Sequence, residues 1–360
     1  MHPLRSRPGR GAPVTSHIPI PPERSGMELD EFLCLSFPLL NKGFLRHQVR
    51  EGKVLVDGNP AAPSQRLRMD QVLFVDFDET EDLPKAPVAP LARLPILHED
   101  PLVLAVDKPP GLAVEPERWA RGNASVAGAL LELALSRSGA EPEAATPLES
   151  ELEFRPRILH RLDKDTSGVL LVAKTVEAER RLRAAFDSGE VHKTYLALVE
   201  GEHPLADGES EIIDLPIGPD ERKSGRMCVD RIQGKASQTR ISVEQRFRGY
   251  TLLRCEPLTG RTHQIRVHLR EIGFPLAVDR VYGRRNVLRL SDIKRGYRRK
   301  PGQVEPALID RLTLHALRIE FPDPASAPRA GQDPGRIRVE SPVPRDLERA
   351  LKQLAKVRPR

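Results

Sequence analysis

The run His160-Arg161-Leu162-Asp163-Lys164-Asp165-Thr166-Ser167-Gly168 sets acids, cations and hydroxyls between apolar neighbours, Ile158 and Leu159 on one side and residues 169–172 on the other. Polar groups in such surroundings are costly unless they are paired or used. A turn whose side chains satisfy backbone groups accounts for Asp165, Thr166, Ser167 and Gly168. Asp163 fits that account less well, because it follows Leu162 directly and lies between Arg161 and Lys164. Neighbouring cations favour an ionised carboxylate, and one that is only partly hydrated is a candidate nucleophile or base. A second polar run is Thr259-Gly260-Arg261-Thr262-His263-Gln264-Ile265-Arg266-Val267-His268-Leu269. Here Thr262 is expected to cap a helix that buries Ile265, Leu269 and Ile272 and stops at Gly273. His263, Arg266 and Arg270 then share a polar face. A zinc site is not expected, since His263 and His268 are five apart and no glutamate lies between them as in a metalloprotease helix. No P-loop or dinucleotide fingerprint occurs either.

The elements that must position these residues are read from periodicity. Val103 to Val106, 169–173 and 195–199 are expected strands, and 177–187 a helix with Ala178, Leu182 and Phe186 inward. Isolated strands with interspersed helices predict an α+β fold with a mixed, largely antiparallel sheet rather than a doubly wound one. Upstream, Leu29, Phe32, Leu33 and Phe37 fall on one helical stripe, and residues 42–50 form a second helix that buries Leu45 and Val49 and stops at Gly52. Along its outer side Lys42, Arg46 and Arg50 recur every four residues, either as a phosphate-binding stripe or as an ordinary solvated face. A hairpin follows, with Asp57-Gly58 as its two-residue turn and residues 72–77 as a closing strand. The Pro-spaced stretch 79–94 reads as a linker between this small module and a larger domain over 95–360.

Composition sets the outer limits. The chain has 360 residues, 39% hydrophobic and 30% charged, with 34 prolines and 25 glycines, which is globular usage with Pro-rich connections. Its 3 cysteines, Cys34, Cys228 and Cys255, are too few and too scattered for a disulfide framework. With no apolar run long enough to span a membrane and no secretory signal, the expected setting is cytoplasmic, without a membrane partner. A net charge of +6 favours an anionic partner. Residues 1–26 carry four arginines, Glu23 as their sole acid and six prolines, and read as a flexible basic tail. Residues 284–300 hold eight Lys/Arg against Asp292 and read as a solvated basic insertion, while 137–157 are acidic and without pattern.

The blocks DKPPGLAV, HRLDKDTSG with VLLVAKT, HKTYLALVEG, TGRTHQIRVHL and LHALRIEFPDP, in that order, resemble the RluA-type family of RNA pseudouridine synthases. The stretch 27–78, around LDEFL and VREGKVLVDG, resembles the S-four type of RNA-binding module. The first resemblance implies a cofactor-free isomerase that turns uridine into pseudouridine. It implies Asp163 as the catalytic aspartate, Tyr195 as the tyrosine against the target base and Arg266 as the cation paired with Asp163. It further places Ile265 in the pocket, Arg161 where an arginine enters the RNA as the base leaves the stack, His160 beside it as a substrate contact, and Lys108 with Pro109 in a structural block. The implied partner is RNA: ribosomal RNA of the large subunit first, transfer RNA as the alternative, with the enzyme a monomer. A catalytically silent RNA-binding assembly protein is the reading from a different class.

Overall fold

The computed structural model describes residues 16–20, 22–37, 42–76, 94–115, 125–138, 154–298, 302, 304–326 and 335–359. The expected linker therefore lies outside the described residues except for Leu94, and so does the acidic stretch 139–153. Contacts divide the chain into two units, residues 1–88 with 115–153, and residues 89–114 with 154–360.

The first unit is built on the two expected helices, α1 (Leu29–Ser36) and α2 (Lys42–Arg50). Leu29, Phe32, Leu33, Phe37, Leu45 and Val49 are all buried in one cluster, as an apolar stripe at helical spacing requires. That cluster lies with an antiparallel sheet of β1 (Ser16–Pro19), β2 (Val54–Val56), β3 (Asn59–Pro60) and β4 (Val72–Val75), in the order β1-β4-β2-β3. Asp57 and Gly58 both have positive φ, 50° and 75°, which a two-residue turn of this hand demands. The Asp57 carboxylate then accepts the Val72 N–H at 2.8 Å, so the hairpin turn also ties down the third strand.

The tail reading fails for residues 16–20 and 22–26. Strand β1 pairs with β4 from Ser16↔Val75 to Pro19↔Val72, and Ile20 is a core residue. Average composition hid the few apolar residues that gain from burial. A second difference concerns α3 (Val126–Ser138), which groups with the first unit although its sequence position lies within 95–360. A helix apolar on most of its sides carries little information about its partner.

In the second unit a ten-stranded sheet contains β5 (Ile96–Glu99), β6 (Val103–Lys108), β7 (Arg157–Ile158), β8 (Ser167–Ala173), β9 (His192–Glu200), β10 (Ser210–Asp214), β13 (Gln238–Phe247), β14 (Tyr250–Pro257), β17 (Leu314–Pro322) and β18 (Arg336–Glu340). Its main path is β10-β13-β14-β9-β17-β8-β6-β5, with β18 on β17 and β7 on β8. All pairs are antiparallel except β17 with β8. The seven residues of β8 are all buried, as expected of an apolar run with a strand on each side. Helix α4 (Val176–Asp187) packs against β8, capped by the Thr175 hydroxyl, which accepts the Ala178 N–H. Ala178 and Leu182 are buried as expected, while Phe186 is half-buried and holds the His160 ring at 5.4 Å. Smaller pieces complete the unit: the hairpin of β11 (Ile217–Pro219) and β12 (Met227–Val229), α5 (Gln264–Glu271), the pair β15 (Leu288–Arg289) and β16 (Ala307–Ile309), α6 (Leu290–Ile293) and α7 (Arg345–Val357). Leu347, Ala350 and Leu354 of α7 share a core with Leu196, Leu198, Phe247 and Leu308.

The basic block is less solvated than its charge implies. Leu288 and Ile293 are fully buried, and Arg285 pairs with Glu200 at 2.9 Å and Asp292 at 3.1 Å. Arg299 and Lys300 lie outside the described residues.

The one parallel contact forces a glycine. Gly168 has φ +119°, and a Cβ there would stand 2.1 Å from the Ala316 carbonyl oxygen of β17. Replacing Gly168 by Ala is expected to cost more than about 3 kcal/mol of stability. Gly273, with φ +90° and open space around it, should lose only about 1–2 kcal/mol on the same change. Urea denaturation of the two variants checks the contrast.

Candidate active site

Asp163 sits in the loop leading into β8, and its position is fixed before any side chain of α5 reaches it. The Asp163 carbonyl accepts the Thr166 N–H at 3.0 Å, closing a tight turn. The next carbonyl, of Lys164, accepts both the Gly111 N–H at 2.9 Å and Lys108 Nζ at 2.8 Å. Lys108 is fully buried, and its ammonium also donates to the carbonyls of Pro109 and Leu112 at 2.9 and 2.8 Å. Burial pushes the Lys108 amine down to about 7, with Asp165 and Asp163 opposing the shift. Three carbonyl acceptors nonetheless require three N–H donors, which only the ammonium has. The lysine thus staples the 109–112 loop to the 163–165 loop, the structural part implied for that block.

Arg266 meets this loop from α5. Its Nη1 donates to Asp163 Oδ2 at 2.8 Å, while Nε and Nη2 form a two-pronged pair with Asp279, each at 2.8 Å. Arg266 and Asp279 are buried, whereas the Asp163 side chain keeps 25% of its surface. Asp279 is anchored in turn by the N–H groups of Val281 and Tyr282. Burial opposes its ionisation, but the Arg266 hydrogen bonds and charge hold its carboxyl below the usual carboxylate range. With one cation between two carboxylates, the surplus negative charge resides on Asp163, the carboxylate with access to solvent.

Tyr195, on β9, is buried among strands β14 and β17. Burial pushes its phenol up, and the Asp163 charge adds to the shift, so it stays a neutral ring beside the carboxylate. Ile265 is buried on α5 next to Arg266, and Arg161 is exposed next to the Asp163 loop. His160 Nε2 accepts the Leu171 N–H at 3.0 Å. Burial, with Lys193 nearby, pushes the ring down to about 3, as that neutral acceptor role needs. Lys42, Arg46 and Arg50 belong to the first unit. There Arg46 pairs with the buried Asp30 of α1 at 2.6 Å, Arg50 is exposed, and the Lys42 side chain lies outside the described residues.

The expected Thr262 cap is not formed. The residue at the start of α5 is His263, in the left-handed conformation with φ 56° and ψ 17°, and Thr262 is exposed. Gln264 organises the turn instead, its Oε1 accepting from Arg261 N–H and the Thr259 hydroxyl. His268 is a satisfied core histidine, bonded to Thr239 Oγ1 and the Leu215 carbonyl at 2.9 Å each. Asp279 and Tyr282 are absent from the sequence-based set of site residues. The signal was nevertheless there: Asp279 follows an apolar run, Leu276-Ala277-Val278, all buried, just as Asp163 follows the apolar Leu162.

The chain matches a family model described as RNA pseudouridylate synthase over residues 102–271. It is 34% identical over 342 residues to the ribosomal large subunit pseudouridine synthase D of Xanthomonas campestris pv. campestris, covering 93% of this chain and 91% of the relative. It is 32% identical over 355 residues to the ribosomal large subunit pseudouridine synthase C of Escherichia coli K12, covering 96% and 98%. Among solved structures, human RNA pseudouridylate synthase domain containing 4 is similar in fold, with a TM-score of 0.50 and 22% identity, over 73% of this chain and 94% of that one.

The two carboxylates on Arg266 are expected to differ in what their loss does to the fold. Asp279→Asn leaves a buried guanidinium short of its counter-ion and should lose about 3 kcal/mol of stability. Asp163→Asn keeps the buried Arg266–Asp279 pair and should fold within about 1 kcal/mol of the parent. Paired urea melts separate the two.

Proposed function

The chain belongs to the RluA-type family of RNA pseudouridylate synthases, and we propose that it isomerises uridines of large-subunit ribosomal RNA with Asp163, Tyr195 and Arg266 as its reacting and orienting groups. In the reaction the N1–C1′ glycosidic bond breaks, the uracil turns while held, C5 bonds to C1′, and the C5 proton leaves. Every atom of the product comes from the uridine except a proton exchanged with solvent. The observation that carries the residue assignment is the Arg266–Asp163 contact at 2.8 Å, which leaves one carboxylate oxygen open in a half-buried site. Asp163 acts on the ribose, Arg266 fixes its geometry and charge, and Tyr195 faces the base as a neutral ring. Ile265 lines the pocket. A base within a stack or loop must be flipped out to reach such a site, and exposed Arg161 beside the loop occupies the space it leaves. His160 is the substrate contact beside Arg161 in this reading, with its Nε2 holding the Leu171 N–H.

The same proposal assigns residues 27–78 as an S-four-like RNA-binding module and 79–94 as its linker, in a monomeric cytoplasmic enzyme. What supports the module is the helix pair on a small antiparallel sheet, with Arg50 exposed on the outer stripe. Large-subunit RNA is preferred over transfer RNA because the relatives that span nearly the whole chain act on the former by name.

Asp163→Asn is expected to abolish tritium release from C5-labelled uridine in ribosomal RNA while RNA affinity stays within about threefold. Measurable single-turnover product would remove Asp163 from its role. Arg266→Lys should cost at least about 100-fold in rate, since lysine keeps the charge but loses the planar fork. For the module, Lys42→Ala with Arg50→Ala should flatten the salt dependence of RNA binding by about 0.7–0.9 log units per lost contact. Arg46 is left intact in that variant because it pairs with the buried Asp30.

A further inference from the structure

The chemistry assigned above uses one oxygen of Asp163 for Arg266 and leaves open what holds the other. Asp163 Oδ1 faces His263 Nε2 at 3.8 Å. That distance is too long for a hydrogen bond, but contacts in catalytic sites commonly tighten when substrate is enclosed. Which proton the imidazole carries therefore decides whether His263 attracts or repels the reactive oxygen.

The surroundings determine the tautomer. Tyr282 Oη lies 2.8 Å from His263 Nδ1 and 2.8 Å from the Met227 backbone nitrogen. The Met227 N–H can only donate, so the tyrosine oxygen accepts from it. The single phenolic proton is then best used toward Nδ1, which must be bare to accept it. A bare Nδ1 places the ring proton on Nε2, directed at Asp163 Oδ1. The opposite tautomer would leave the tyrosine proton without a partner and set the Nε2 lone pair against a carboxylate oxygen.

Three further observations concern this arrangement. His263 is held in the left-handed region, a conformation costly for a residue with a Cβ. Tyr282 is fixed from two sides, its ring against Arg266 at 4.9 Å and Arg226 at 5.1 Å, its own cluster being Ile217 and Val267. The charged groups around the imidazole are Asp163, Arg266 and Asp279, with Arg226, just before β12, beyond the tyrosine ring. Burial pushes the imidazole down, which keeps it neutral at physiological pH.

We propose that His263 is a positioning residue for the reaction, its neutral Nε2–H steering the open oxygen of Asp163, and that Tyr282 fixes the tautomer which makes this work. The role is not that of a proton donor to substrate, and it rests on Asp163 being the reacting carboxylate.

The test joins a spectroscopic and a kinetic arm on the full chain. Long-range 1H–15N correlation of the histidine rings, with His263→Asn used to assign the signal, should show Nδ1 bare and Nε2 protonated in the parent. In Tyr282→Phe the same ring should move toward the Nδ1–H form. In single-turnover assays on ribosomal RNA, His263→Asn, which suits the left-handed backbone but does not reach Asp163, should slow the rate about 10- to 100-fold with RNA affinity within threefold. His263→Gln, whose amide N–H reaches about as far as Nε2, should recover much of that loss. Tyr282→Phe should lose about tenfold, and the double variant should be no slower than His263→Asn alone, because the tyrosine acts through the histidine. A parent ring protonated on Nδ1, a His263→Asn rate within threefold of the parent, or additive losses in the double variant would each overturn the proposal. Should the parent form no pseudouridine, the activity assignment fails while the ring spectrum still decides the tautomer.

Discussion

A single guanidinium holds two carboxylates in different environments, and most of the second unit is arranged to make that possible. Arg266 gives two of its donors to Asp279, which is fully buried, and one to Asp163, which is not. The buried pair restricts the rotational freedom of the arginine, so the third donor is held on Asp163. A flexible lysine has no equivalent of this fork. One positive charge thus serves two carboxylates, of which Asp163 is the one that solvent reaches.

Holding that geometry requires rigid support on both sides. On the loop side, the buried Lys108 ammonium and the Gly111 N–H converge on the Lys164 carbonyl, so the backbone after Asp163 is pinned by two donors. Directly after it, Ser167 and Gly168 enter the sheet against β17 with no room for a Cβ at Gly168. Ser167 also joins a buried network in which its hydroxyl accepts from Arg311 at 3.2 Å and meets His315 Nδ1 at 3.0 Å, Arg311 being forked onto Asp346 of α7. Burial pushes the His315 ring down to about 4, so the network holds a neutral histidine. On the helix side, Tyr282 and the β11–β12 hairpin close against α5 through Ile217, Val267 and the Met227 N–H. The Asp163 loop and α5 are thus each tied into the core by polar contacts, and such contacts specify a position more sharply than apolar packing does.

The first unit solves a different problem, that of presenting charge without a large core. Its two short helices and strands β1, β2 and β4 share one apolar cluster, and the buried Asp30 is matched by Arg46 reaching across from α2. One exposed residue of the basic stripe, Arg46, is thereby drawn into holding the helices together, while Arg50 is exposed as well. A periodic charge pattern marks a face, but it does not say which of its members are already engaged.

What the sequence alone determined were features encoded locally. The helical stripe from Leu29 to Phe37, the Asp57-Gly58 turn, the apolar run of β8 and the α4 pattern follow from side-chain periodicity and backbone preference, and each appears where expected. Asp163 stood out because a carboxylate placed after apolar residues needs a reason. The tertiary structure alone decided the relations between distant segments. Asp279 lies 116 residues after Asp163 in the chain, and only the folding of α5 between them puts both on one guanidinium. It also turned His263, not Thr262, into the start of α5, and brought Tyr282 to its ring, since long-range hydrogen bonds overrode the capping preference of a threonine. Strand β1 escaped a compositional reading for the same reason: four residues from a proline- and arginine-rich segment gain a partner, β4, that their own sequence does not contain. Local pattern fixes which elements exist, and the partners that satisfy their buried polar groups, often far away in the chain, decide what those elements do.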